Sequence, residues 1–116
     1  MDKKIILTIV SVIYLIILLL AAFTVNLGTS DSTPGSDKSL HFIGLFILSL
    51  LLIFTFKNYA AKRVYLKSLI IAIIIGIIIE IIQLFIPERT FSLLDLAADL
   101  GGIFLAMVLA WTFSKR

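Results

Sequence analysis

The stretch SLIIAIIIGIIIEIIQLFIPER, residues 68–89, decides the fold. Between Ser68 and Pro87 its only charge is Glu80. An apolar run of about 20 residues, at 1.5 Å per residue, is long enough to cross the roughly 30 Å hydrocarbon core of a bilayer as a helix, and Pro87 marks its stop. The same reading extends in both directions. No charge falls from Ile5 to Ser30, and His41 is the only titratable side chain from Ser39 to Phe56. A further apolar run follows Ser92-Leu93-Leu94-Asp95, which has the capping-box form that opens a helix. Spans are therefore expected at about 5–25, 39–56, 66–86 and 93–113. This is an all-α, polytopic membrane protein, a bundle of four transmembrane helices forming one domain over residues 1–116.

Composition agrees. Of the 116 residues 61% are hydrophobic and 15% charged, outside the range of ordinary globular chains. Four spans use nearly all of the chain, so any function has to sit in the bundle or its short loops. There is no cysteine, which removes disulfide frameworks, thiolate zinc sites, iron–sulfur clusters and cysteine nucleophiles. Lys3-Lys4 before the first run has the form of a signal-peptide n-region. The run exceeds the 7 to 15 residues of a signal h-region, however, so the span is expected to be retained. The segment Asn26 to Asp37 (NLGTSDSTPGSD) reads as a flexible loop.

Of the ten basic residues, eight lie at Lys3, Lys4, Lys57, Lys62, Arg63, Lys67, Lys115 and Arg116, which leaves Lys38 and Arg89 for the other two loops. The positive-inside rule places those eight, and with them both termini, in the cytoplasm of a cell whose plasma membrane the chain spans. The basic balance then reports orientation and contact with anionic inner-leaflet lipid rather than nucleic-acid binding. Tyr59, Tyr65 and Trp111 are expected as interfacial aromatics at the cytoplasmic face.

Polar residues gather near the opposite face. Gly76, Glu80, Gln83 and Pro87 follow one another at helical spacing on a single stripe. So do Asp95, Asp99, Gly102 and Ala106, and in the second span Asp37, His41 and Gly44. Glu80 and Asp99 lie roughly 9 Å deep and His41 and Asp95 roughly 3 to 5 Å, at 1.5 Å per residue. An acid at a helix centre costs about 2.5 to 3.5 kcal/mol against the 0.3 to 0.6 that each Ile, Leu or Phe returns. The fourth span, with two acids, is thus near break-even and needs partners from other helices. The three stripes are expected to face one another. Carboxylates so close cannot all stay ionised unless a cation or donor sits among them, and Lys38, His41, Gln83 and Arg89 are the candidates.

The motifs Asp37-Lys38-x-x-His41-Phe42, Glu80-x-x-Gln83-x-Phe85-x-Pro87-x-Arg89 and Ser92-x-x-Asp95-x-x-x-Asp99-x-x-Gly102 resemble, in order and spacing, those of the VanZ-like family of small bacterial membrane proteins. Two departures stand out: the family pattern favours Asn where Asp99 stands and a second Gly where Ala106 stands. The resemblance implies a bacterial cell-envelope protein with a part in glycopeptide resistance of the teicoplanin type.

Each polar residue also has a plainer use. His41 could be a hydrogen-bonded interfacial histidine, Glu80 an ion pair with Arg89 or Lys38, and Asp95 a partner of its own helix dipole. Asp99 could bond to a neighbouring span. Ser39 and Ser92 read as helix caps, and Gly44, Gly76, Gly101 and Gly102 as packing residues. A divalent cation would find one nitrogen and several oxygens in His41, Glu80, Asp95 and Asp99. No helical HxxxH or HxxE spacing supports it, and neither a metal nor a cofactor is expected.

Two functional expectations follow. The first is a binding module. Its ligand-binding residues are Asp37, Lys38, His41, Glu80, Gln83, Arg89, Asp95 and Asp99, and they engage a membrane lipid or a lipid-linked cell-wall precursor head group, or a glycopeptide. The second is a membrane-surface enzyme with His41, Glu80, Asp95 and Asp99 as catalytic candidates, working by acid and base on a lipid-linked substrate. A proton-coupled transporter fits less well, because the cytoplasmic halves of the spans are almost wholly apolar. Topology is the first test: a cysteine introduced at Ser32 or Thr33 should be labelled by an impermeant thiol reagent from outside intact cells, and one at Ala61 should not. Labelling at Ala61 alone inverts the bundle.

Overall fold

The computed structural model describes residues 2–24, 36–85 and 93–114; at residues 23, 24 and 36–40 only the backbone is described. It contains four helices, α1 (Lys3–Thr24), α2 (Ser36–Asn58), α3 (Val64–Leu84) and α4 (Leu93–Ser114), and no strand among the described residues. All four are long and apolar enough to cross a membrane. The helices match the expected spans to within a few residues. The largest difference is at α2, which opens at Ser36. Asp37 and Lys38 therefore stand in its first turn rather than in or beside a loop, a position where Ser and Asp are favoured by the unpaired N–H groups and the helix dipole. The expected stop at Pro87 and the capping box at Ser92 lie outside the described residues. α3 closes at Leu84, with the Phe85 N–H donating to the Ile82 carbonyl at 3.1 Å.

The chain runs up and down, so α2 and α4 are parallel and α3 opposes both. α2 packs most extensively against α4 and also touches α1 and α3. α1 and α4 lie on opposite sides of the α2–α3 pair and do not pack on each other. α1 is the outermost helix, with Ile9, Val12, Ile13, Ile16 and Leu20 among its exposed side chains, a lipid-facing surface. Polar groups fasten its inner side: the Ser11 and Thr55 hydroxyls pair at 3.0 Å, and the Tyr14 hydroxyl donates to the Gly44 carbonyl at 2.9 Å.

The start of α1, the end of α4 and the α2–α3 turn share one end. There the Thr8 hydroxyl pairs with the Tyr59 phenol at 2.9 Å, and the Tyr65 phenol with the Ser114 hydroxyl at 3.0 Å. Lys4 and Lys57 sit over the Tyr59 and Tyr65 rings at 5.5 and 5.2 Å, favourable cation–π contacts. α2 ends in a Schellman-type closure, Ala61 N–H to Phe56 carbonyl and Ala60 N–H to Lys57 carbonyl, both 3.0 Å, with Ala60 at φ 55°.

Among the described glycines, the closest approach is at Gly102, where α4 meets α2. A Cβ built on Gly102 would run into the Phe42 carbonyl oxygen and crowd the Phe46 nitrogen, so backbone meets backbone there. A Cβ on the preceding Gly101 would meet only the Phe42 ring, at 3.3 Å. A ring can turn; a helix backbone cannot yield alone. Gly102→Ala is therefore expected to destabilise the protein by about 1 to 3 kcal/mol, the usual range of core overpacking, and Gly101→Ala by less. Denaturant unfolding in detergent measures both, and equal effects would show that the crossing is not held by Gly102.

Candidate functional site

The α2–α4 crossing positions the site. His41 stands next to Phe42, the residue that Gly102 meets, and Asp99 lies almost one turn before Gly102 on α4. His41 Nδ1 and Asp99 Oδ1 are consequently 3.0 Å apart. α3 reaches the same nitrogen from the other side, with Glu80 Oε2 at 3.6 Å. One turn below Glu80, Gly76 leaves the room that Asp99 occupies: a Cβ there would stand 3.3 Å from Asp99 Oδ2. Asp95, one turn before Asp99, extends the cluster toward the start of α4. His41, Glu80, Gln83, Asp95 and Asp99 are all buried, with 1% to 7% of their surfaces exposed.

In the neutral imidazole, with Asp99 ionised, the Nδ1–H donates to Asp99 Oδ1. The tautomer is then set and Nε2 keeps its lone pair, the arrangement that lets histidine take up or deliver a proton. Three carboxylates and one imidazole share this volume. The described basic side chains, Lys3, Lys4, Lys57, Lys62, Arg63 and Lys67, are all at the far end of the bundle.

An apolar cavity of about 260 Å³ adjoins the cluster, bounded by α1, α2 and α3. His41 and Gln83 form part of its wall, together with Tyr14, Leu18, Ala22 and Gly44. Ligand-type atoms of His41, Glu80 and Asp95 also lie within 4.8 Å of one another and could hold a divalent cation. The sequence offered no local spacing for such a set because each residue comes from a different helix.

Of the expected site residues, the structure brings together His41, Glu80, Gln83, Asp95 and Asp99. Asp37 and Lys38 are described as backbone only, and Arg89 lies outside the described residues. The contribution of α1 was missed. Its signal was Thr8, Ser11 and Tyr14, three hydroxyls at steps of three in an otherwise apolar run, which mark the side turned toward α2.

The family model for VanZ/LLP1 matches residues 4–114, nearly the whole chain. The chain belongs to the VanZ/LLP1 family and, with its four apolar helices, is a multi-pass membrane protein. It is also similar to an uncharacterised protein of Schizosaccharomyces pombe, 30% identical over 104 residues, which covers 90% of this chain and 64% of that protein. The chain thus spans less than two thirds of that relative's length. No solved structure matches.

The His41–Asp99 pair makes a prediction about stability. Asp99→Leu removes the acceptor and leaves a buried Nδ1–H unsatisfied, a loss of about 1 to 3 kcal/mol. Asp99→Asn keeps an oxygen in place and should cost clearly less. Thermal unfolding in detergent compares the two, and equal losses would show that the hydrogen bond is not what Asp99 contributes.

Proposed function

For this member of the VanZ/LLP1 family, we propose that the protein binds the polar head group of a membrane lipid or lipid-linked cell-wall precursor in the outer half of the plasma membrane. The observation that carries this reading is the continuity of two unlike surfaces, a buried cluster of imidazole, amide and carboxylates against an apolar cavity. An amphipathic ligand matches that pair, and a soluble polar one does not. The carboxylates of Glu80, Asp95 and Asp99 oppose a purely anionic head group. A head group bearing amines or hydroxyls beside its phosphate offers donors to them, and Lys38 and Arg89 supply the cations for the phosphate. The eight-to-two distribution of basic residues supports an outward-facing site with both termini inside.

Binding a cell-wall precursor would also account for the part in glycopeptide resistance that the family resemblance implies for a bacterial envelope.

The second reading is acid and base catalysis on the same lipid-linked ligand. The 3.0 Å pair of His41 Nδ1 with Asp99 favours it, since the carboxylate orients the imidazole. His41 then takes a proton from a water or hydroxyl nucleophile, and a carboxyl group beside it delivers one to the leaving group.

Binding of envelope lipids to purified protein tests the first reading. Glu80→Gln and Arg89→Ala should each weaken it at least tenfold, and unchanged binding in both overturns it. Turnover of the bound lipid by the native protein, abolished in His41→Ala with binding retained, would establish catalysis.

A further inference from the structure

We propose that the cavity between α1, α2 and α3 holds one hydrocarbon chain of the lipid whose head group lies among His41, Glu80, Gln83 and Asp95. This rests on the head-group reading above and adds to it a fixed place for the tail. His41 and Gln83 belong to both regions, so head and tail meet at these two residues without an intervening wall.

Small side chains create the space. Ala21, Ala22 and Gly44 line it where larger residues would close it. A Cβ on Gly44 would stand 2.9 Å from Leu18 Cδ1, so this part of the α1–α2 contact has little room to spare. The Tyr14 hydroxyl, held at 2.9 Å by the Gly44 carbonyl, ties α1 to α2 at the deep end. That tie keeps the two helices in register beside the cavity. Its lining is overwhelmingly apolar, which disfavours water as the occupant.

The dimensions select one chain. From Tyr14 to Ala22 the cavity follows α1 for about 12 Å, at 1.5 Å per residue. A volume of about 260 Å³ along that length suits a single alkyl chain. Ile17 and Ile43 line it and are each more than half exposed, at 57% and 52%, so they form a rim open to the surrounding lipid. A tail can therefore enter sideways from the membrane while its head group reaches the cluster.

The probes are lysophosphatidylethanolamine and lysophosphatidylglycerol with 12-carbon chains, and chainless glycerophosphoethanolamine. They are titrated against the purified full chain in detergent with native mass spectrometry as the readout. Comparing variants in the same detergent cancels partition of the probe into micelles. The native protein should bind one single-chain molecule and hold it at least tenfold more tightly than the chainless head group. Ala21→Phe, which fills the cavity, should cut single-chain binding at least tenfold and leave chainless binding unchanged. Ala21→Leu should give a smaller loss, and Ile9→Ala, on the lipid-facing side of α1 away from the cavity, none. Circular dichroism verifies that each variant keeps its helices. Should Ala21→Phe bind the single-chain probe as the native protein does while Glu80→Gln weakens it, the chain site is overturned and the head-group reading stands. The reverse pattern, weakening by Ala21→Phe and none by Glu80→Gln or Arg89→Ala, retains the chain site and overturns the head-group reading. If neither single-chain probe saturates at one per protein, both fall.

Discussion

A carboxylate in a hydrocarbon environment has to find a donor, and for Asp99 that donor is His41. The 3.0 Å contact requires α4 to lie almost on the backbone of α2, which Gly102 permits by bringing nothing larger than a hydrogen to the Phe42 carbonyl. Gly76 does the same for α3, admitting Asp99 where any side chain would press on its carboxylate. The polar cluster and the helix crossing are therefore one arrangement. Withdrawing the glycines moves the acids out of reach of the imidazole, and withdrawing the pair leaves a desolvated charge or donor beside the α2–α4 crossing.

The two ends of the molecule use polarity differently. At the end where α1 begins and α4 closes, Tyr59 and Tyr65 lie beneath Lys4 and Lys57, and hydroxyl pairs join neighbouring helices at exposed positions. Such contacts suit a membrane–water interface, where a ring is half in lipid and its polar edge is wet. At the opposite end the polar groups are buried and are mutual partners. Desolvation is costly, and its recovery depends on geometry held by three helices at once. An interfacial anchor needs no such precision. The buried cluster does, which is why the functional reading rests there.

α1 plays a separate part. It contributes no acid, and its outer surface is uniformly aliphatic. Its inner side nevertheless completes the apolar cavity beside His41 and Gln83, with Tyr14 bonded to α2 at the deep end. The three helices α2, α3 and α4 thus assemble the chemistry, and α1 turns its flank into a space that a ligand of mixed character can occupy.

The number, length and type of the helices were legible in the sequence because they follow from a local quantity. Some 20 apolar residues without charge have one favourable state in a bilayer, a helix that satisfies its own backbone. The polar stripes were legible for the same reason, since i, i+4, i+7 spacing places Asp95, Asp99 and Gly102 on one face whatever that face meets. Helix pairing was legible only in part: the three polar stripes were expected to face one another, but nothing in the sequence set α2 most closely against α4. In spans this rich in Ile and Leu many faces are equally apolar, and shape at single residues, Gly102 against Phe42 and Gly76 against Asp99, chooses among them. The start of α2 was placed late because Ser36 and Asp37 read as loop residues, although both are also good openers of a helix. The meeting of His41, Glu80 and Asp95 across three helices, and the cavity made by small residues on α1 and α2, arise from distances between segments remote in the chain. The sequence by itself determined which residues had to leave the lipid and that their stripes had to face one another; only the tertiary structure decided how closely and through which atoms they meet, because that depends on close packing between surfaces rather than on the hydrophobicity of either one.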